Sequence, residues 1–206
     1  MARAAVQTEA PEGLVYRPGF VDADEERGLL ALLEELDFQE IRMRGAAARR
    51  TVLHFGYTYD YESRRLVPAG PLPRALLALR DRCAALAEIP PPGLAQALVT
   101  RYPAGATIGW HRDAPAFGPQ VVGVSLLSDC RMLFRREAGL RRLYRQELAR
   151  RSAYVLRGAA RSSWQHSIPG TPGLRYSVTF RTLTGGRVLG APPSFLQQWD
   201  RPRGTH

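Results

Sequence analysis

The chain is 206 residues long, 45% hydrophobic and 23% charged, which fits one domain with a sizeable core and excludes a disordered or fibrous protein. No run approaches the ~20 apolar residues of a membrane span, and two distant cysteines, Cys83 and Cys130, rule out a disulfide framework and read as buried thiols. The formal net charge is +10; all 29 basic residues are arginine, a bias toward G+C-rich codons, but the excess over 19 acids points to a polyanionic partner such as DNA or RNA.

Residues 1–13 carry no pattern and are expected to form a flexible N-terminus. They lack the continuous apolar stretch of a signal peptide, so cytoplasm is the expected location. A helix begins near Ala23, capped by Asp22 or Asp24, with Leu29, Leu30, Leu32, Leu33 and Leu36 on its apolar side. Gly45–Arg50 reads as a basic loop. Its arginines, with Arg42 and Arg44, either contact phosphates or are solvated. Thr51–Tyr61 reads as a strand in which Tyr57, Tyr59 and Tyr61 alternate. A loop over Pro68–Pro73 leads to a second amphipathic helix, Arg74–Glu88, stopped by the prolines at 90–92.

After Gly93 the character changes to short strands separated by turns. These are Ala97–Tyr102, Ile108–Asp113, Val121–Leu127, Met132–Arg136, Ala153–Arg157, Ser163–Ile168 and Leu174–Leu183, with a loop over Pro115–Pro119. Leu140–Arg151 fits an amphipathic helix on pattern alone. The tail 184–206 is rich in Gly, Pro and Arg and reads as irregular, with Phe195, Leu196 and Trp199 able to dock it. The strand spacing predicts a single domain over 14–183, a sandwich or barrel with the early helices backing one sheet, and a monomer.

The chemistry concentrates in two places. In Trp110-His111-Arg112-Asp113, His111 and Asp113 project from one face of a strand. His166 follows in another strand. Two histidines and one carboxylate form the facial triad of non-haem iron(II) oxygenases, which leaves open positions for a chelating co-substrate and dioxygen. The same pattern also arises by chance. The second place is Arg175-Tyr-Ser-Val-Thr-Phe-Arg181, where Arg175, Ser177, Thr179 and Arg181 share one face and Tyr176, Val178 and Phe180 the other. An inward-facing arginine needs an anionic partner, and a dicarboxylate supplies one. An edge strand with solvated arginines is the alternative.

The order His111-x-Asp113, His166, Arg175-x5-Arg181, preceded by Arg101-Tyr102-x-x-Gly105, resembles the AlkB family of 2-oxoglutarate dioxygenases from about Thr51 to Leu183. The resemblance implies a double-stranded β-helix (jelly-roll) core, mainly β with some α, backed by N-terminal helices. It also implies that His111, Asp113 and His166 bind Fe(II). Tyr102 and Arg175 would hold the distal carboxylate of 2-oxoglutarate, and Arg181 would lie near its metal-chelating end. Thr100 and Ser177 stand at positions that are often Asn in the family and would hydrogen-bond the co-substrate. Leu140–Arg151 becomes a strand by the same resemblance, against its own pattern.

The chemistry so implied couples decarboxylation of 2-oxoglutarate by O2 to hydroxylation of a substrate C–H bond. A hydroxylated N-methyl group would then collapse to formaldehyde and the free base. Tyr57 and Tyr59 are candidates for stacking on a nucleobase, or else they fill a core. Trp110 and Trp164 read as packing residues, and His54 as structural. Oxidative demethylation of alkylated bases in DNA or RNA is the first reading. Hydroxylation of tRNA or of a protein side chain is the second, favoured by His54-Phe55-Gly56-Tyr57 and by Ala160–Ile168, which look closer to the tRNA-hydroxylating branch. A non-catalytic jelly-roll binding protein is the third.

Overall fold

The computed structural model describes residues 6–7, 9–43, 46–60, 62–63, 65–136 and 142–184. The chain enters through two strands, β1 (Val6–Gln7) and β2 (Leu14–Arg17). Helix α1 (Ala23–Glu34) starts where the Asp22 carboxylate accepts from the amides of Asp24 and Glu25, at 2.9 and 2.8 Å. Asp22 is therefore the cap, and three acids in the first turn complement the helix dipole. Inside that turn Glu26 is fully buried and accepts from the Leu127 amide and the Arg150 guanidinium, each at 2.8 Å, which pins the helix to the sheet.

Two hairpins follow, β3 (Gln39–Met43) with β4 (Ala46–Phe55), and β5 (Tyr57–Asp60) with β6 (Arg65–Pro68). Gly56 joins β4 to β5 at φ +75, and a Cβ there would lie 2.3 Å from the Ala95 carbonyl oxygen, so only glycine makes this turn. The basic loop expected over Gly45–Arg50 is instead strand from Ala46 onward. The charge pattern misled because Arg49 and Arg50 are held by backbone carbonyls of residues 104 and 107, at 3.0 and 3.2 Å, while β4 pairs with its neighbours. Helix α2 (Arg74–Leu86) buries Leu76, Leu79, Cys83 and Ala84.

The remainder runs β7 (Gln96–Tyr102), β8 (Ile108–His111), β9 (Phe117–Leu126), β10 (Cys130–Arg136), β11 (Arg142–Leu148), β12 (Ser152–Leu156), α3 (Gly158–Ser162), β13 (Gln165–Ile168) and β14 (Arg175–Leu183). The loop expected over Pro115–Pro119 ends early, with Phe117 already pairing with Leu183 beyond a register shift. Over Leu140–Arg151 the helical pattern fails and the strand implied by resemblance stands. Arg142–Leu148 ladders along the whole of β10, and pairing with a partner strand overrides the leucine spacing. Leu140 lies outside the described residues.

Seven strands form one sheet, in the order β2-β12-β9-β14-β7-β4-β3, and five form the other, β1-β11-β10-β13-β8. Apart from β1 against β11 the pairings are antiparallel, giving the jelly-roll expected. Leu29 and Leu33 of α1 and Leu76 and Leu79 of α2 pack on Val99, Val124, Tyr176, Val178 and Phe180 of the larger sheet. A second core of Met132, Phe134, Leu148, Tyr154, Leu156 and Trp164 fills the space between the sheets. Both faces of β14 are thus covered, and Arg175 through Arg181 are all buried.

The segment before β2 is tied down at its end. Glu12 and Gly13 accept from the amides of Ala160 and Arg157, at 2.8 and 3.1 Å, and Val6–Gln7 pair with β11. Residues 1–5 and 8, Arg44, Gly45, Tyr61 and residues 185–206, with Phe195, Leu196 and Trp199, lie outside the described residues. Among those described, no helix is long and apolar enough to cross a membrane.

Candidate active site

The register of β14 against β7 builds the polar floor of the cavity between the sheets. Arg175 stands opposite Tyr102, Ser177 opposite Thr100, and Arg181 opposite Gln96. Residues directly opposite in an antiparallel pair share a face, so the alternation of one strand becomes a two-strand patch. Ser177 and Thr179 hydroxyls are 3.5 Å apart between the two arginines.

Arg175 is fully buried. Its Nε donates to the Ser125 hydroxyl at 2.9 Å, and its guanidinium lies over the Tyr102 ring, 5.1 Å from the centroid. Both terminal nitrogens are buried and have no hydrogen-bond partner among the described residues. Tyr102 is raised by its burial, against which the nearby Arg175 charge works only weakly, so the phenol is neutral. A buried cation with two unpartnered donors is costly unless an anion reaches it. The donor geometry fits one carboxylate, taken bidentately.

At the other end of the patch His111 and His166 are paired across β8 and β13, their ring centroids 4.3 Å apart. The strand expected to reach Asp113 stops at His111, so Asp113 lies two residues beyond β8, its Oδ2 3.9 Å from His166 Nε2. The three predicted ligands are therefore contiguous. Among the described residues no three His, Cys, Asp or Glu side chains converge tightly enough to clasp an ion as they stand. Arg181 occupies Asp113 Oδ1 through Nε at 2.8 Å and Nη2 at 2.7 Å, and the imidazoles rest against one another. Closing the triad takes side-chain rotation within a group already assembled by the backbone.

The donor chemistry suits a divalent cation. His111 Nδ1 is 2.9 Å from the Gly109 carbonyl, which puts its proton there and leaves Nε2 a lone pair. Burial, reinforced by His111, lowers His166 to about 3, so its ring is neutral. Burial would raise Asp113, but Arg181 foremost, with His166 and His111, outweighs it and holds the carboxyl well below the usual carboxylate range. Two neutral imidazoles and one carboxylate are the ligand states a metal requires.

Several residues escaped the sequence reading. Arg161, on α3, donates to the carbonyls of Asp113, Ala114 and Phe117 at 3.3, 3.2 and 2.9 Å and so fixes the loop that carries Asp113. Gln96 accepts from Arg181 Nη1 at 3.1 Å, and Ser125 accepts from Arg175. Tyr154 stands over Gly123, where a Cβ would lie 2.3 Å from its ring, and burial pushes its phenol up to about 12. Arg161 was within reach, since it falls in the segment leading to His166. Gln96, Ser125 and Tyr154 meet the arginines only through strand register.

The aromatic candidates divide. Tyr57 is buried with Leu66 and Phe117, so its ring is spent on packing. Tyr59 is half-buried at the margin of that cluster, its ring centroid 6.2 Å from that of Phe117. Trp164 is buried between the sheets as expected. Trp110 is not core: it is half-buried on the outer face of the smaller sheet with the Arg135 guanidinium 4.7 Å above its ring.

A family model described as the 2OG-Fe(II) oxygenase superfamily matches residues 13–181. Over 176 residues the chain is 27% identical to the tRNA (carboxymethyluridine(34)-5-O)-methyltransferase alkbh8 of Xenopus tropicalis, covering 82% of this chain and 27% of that protein. Over 181 residues it is 28% identical to the alkylated DNA repair protein ALKBH8 homolog of Arabidopsis thaliana, covering 76% of this chain and 51% of that protein. The chain thus spans between about a quarter and a half of the length of these relatives. Among solved structures it superposes on OsALKBH1 with a TM-score of 0.64 at 18% identity, over 85% of this chain and 99% of that one. It matches a 2OG-Fe(II) family oxidoreductase of Burkholderia pseudomallei with a TM-score of 0.60 at 16% identity, over 87% and 95%.

Proposed function

Since the chain belongs to the 2OG-Fe(II) oxygenase superfamily, within its AlkB family, we propose that it oxidises a C–H bond on a nucleobase, in the first instance the N-methyl group of an alkylated base in DNA or RNA. As a 2-oxoglutarate-dependent dioxygenase it uses Fe(II), 2-oxoglutarate and O2. When bound, the iron and co-substrate supply oxidising power. One O2, one 2-oxoglutarate and one C–H give a hydroxylated carbon, succinate and carbon dioxide.

In this reading His111, Asp113 and His166 hold the metal. The observation that carries it is Arg175, a fully buried guanidinium whose two terminal nitrogens have no partner among the described residues, on the same face of β14 as the Arg181 that holds Asp113. It takes the distal carboxylate of 2-oxoglutarate, with the Tyr102 hydroxyl beside it and Thr100 and Ser177 lining the path. Arg181 holds the Asp113 carboxylate in place and faces the end of the co-substrate that meets the metal. Arg161 keeps the Asp113–Phe117 loop closed, and the burial of this floor excludes water from the reacting atoms. Tyr59, half-buried where Tyr57 is buried, is the candidate for stacking on a base, while Tyr57 supports the hairpin behind it. The positive excess of the chain favours a nucleic acid over a neutral substrate. A monomeric cytoplasmic enzyme goes with this reading.

Oxidation of tRNA without release of a methyl group is the second reading; the name of the Xenopus relative, a tRNA methyltransferase, supports tRNA as the polymer. The test is succinate formation with iron and 2-oxoglutarate in the presence of methylated single-stranded DNA, methylated RNA, tRNA or nothing. Formaldehyde with an unmodified base supports demethylation, whereas a stable hydroxylated base supports the second reading. If none of the three polymers stimulates turnover, both readings fail. A His111→Ala/Asp113→Ala protein that turns over undiminished removes the metal assignment.

A further inference from the structure

One titratable group next to the Gln96–Arg181 pair is not used by the reaction proposed above. His54, on β4, is half-buried, and its Nδ1 lies 3.3 Å from the Gln96 side-chain nitrogen. The Gln96 amide is fixed from two sides. Arg181 can only donate, so the Gln96 atom 3.1 Å from its Nη1 is the oxygen. The Ala97 carbonyl can only accept, so the atom 3.0 Å from it is the nitrogen. Flipping the amide would oppose two donors on one side and two acceptors on the other. His54 Nδ1 therefore accepts from Gln96, and a neutral imidazole that accepts at Nδ1 carries its proton on Nε2. Burial, aided by the Arg181 charge, lowers His54 to about 4, which keeps the ring neutral at pH 7.

His54 Nε2 bonds no protein atom among the described residues and is not sealed in the core. His54 lines a cavity of about 660 Å³ with Glu35, Asp37, Gln39, Thr58 and Gly70, beside the β5–β6 hairpin that carries Tyr59. That volume suits a small organic group of nucleotide size. The two carboxylates in its wall disfavour a phosphate, so a base edge rather than the backbone is its fitting occupant.

We propose that His54 reads the substrate: Arg181, through Gln96, sets it as an Nε2–H donor, and it selects a base edge that presents a keto oxygen over one that presents an amino group. The inference rests on the nucleobase reading above for its occupant, but not for its polarity. The polarity is tested on the metal-free protein by long-range ¹⁵N–¹H correlation at pH 7, where His54 shows the Nε2–H tautomer. An Nδ1–H tautomer or a charged ring overturns the proposal whatever the substrate.

Selection is tested with two single-stranded oligonucleotides that differ only in carrying N3-methyluracil or N3-methylcytosine, which present keto and amino groups at the same ring position. N3-methylcytosine is a cation at pH 7 and Glu35 and Asp37 line the cavity, so the keto-over-amino ratio of kcat/KM values is read against that of His54→Phe, which keeps both carboxylates. His54→Phe lowers the ratio about tenfold, the worth of one hydrogen bond. Gln96→Glu, which replaces the amide donor by an acceptor, lowers it at least as far. If Gln96→Glu does not fold, the ratio in His54→Phe decides alone. A ratio unchanged in the folded variants overturns the proposal. Turnover of neither oligonucleotide removes the selection together with demethylation of these bases, while the tautomer failing alone removes only the role of His54.

Discussion

Arg175 and Arg181 occupy one face of one strand and differ in every respect that matters. Arg181 is neutralised from within: Asp113 takes its Nε and Nη2, Gln96 its Nη1, and the Phe117 ring lies 4.8 Å below it. Arg175 is buried more completely, and among the described residues it meets the Ser125 hydroxyl and Tyr102 but no carboxylate. One arginine has its donors taken within the folded chain, and the other keeps two terminal nitrogens without a partner among the described residues. Burial alone does not tell a structural cation from a receptor, but the tally of its donors does.

The two arginines should part most widely on truncation. Arg181→Met leaves Asp113 buried without its cation, and the metal-free protein should lose about 3–5 kcal/mol of unfolding free energy, read by urea titration. Arg175→Met removes an uncompensated charge and should stabilise the same metal-free protein by about 1–4 kcal/mol, while weakening 2-oxoglutarate binding about a hundredfold by calorimetry. Equal destabilisation by the two substitutions would erase the distinction.

The smallest effect concerns pH and reaches the Arg181 end alone. His54 sits at about 4 against an ordinary 6.5, so the unfolded chain takes up a proton first as the pH falls. The stability it contributes is complete above about 6.5 and is lost between there and about 4. A thermal melt series across that range should show His54→Phe with the shallower decline, whereas Arg175→Met should leave the slope as it was.

Much of this site was legible in the sequence because β14 is regular. Its period-two alternation, read with His111, Asp113 and His166, named the two arginines and the triad. What supports them was not legible. Gln96 and Ser125 lie far from Arg181 and Arg175 along the chain and reach them only by strand register, which no single segment encodes. The misreadings have similar causes. Leucine spacing over Leu140–Arg151 imitates a helix until β10 supplies a partner, and the arginines before Thr51 imitate a solvated loop until backbone carbonyls take Arg49 and Arg50. Trp110 was assigned to the core by alternation alone, because a strand pattern tells which residues lie together but not which face meets water.

A strand covered on both sides has no side free to vary. Between Arg175 and Arg181, the residues facing the helices fill one core and those on the other face are buried as polar groups, so a change in either set disturbs the other. The β5–β6 hairpin buries only Tyr57 and Leu66 among its described strand residues, and it carries Tyr59 and borders the His54 cavity. A protein engineer who wanted this catalyst to accept a different substrate would therefore leave β14 alone and build libraries at the partly or fully exposed positions Thr58, Tyr59, Val67 and Gly70.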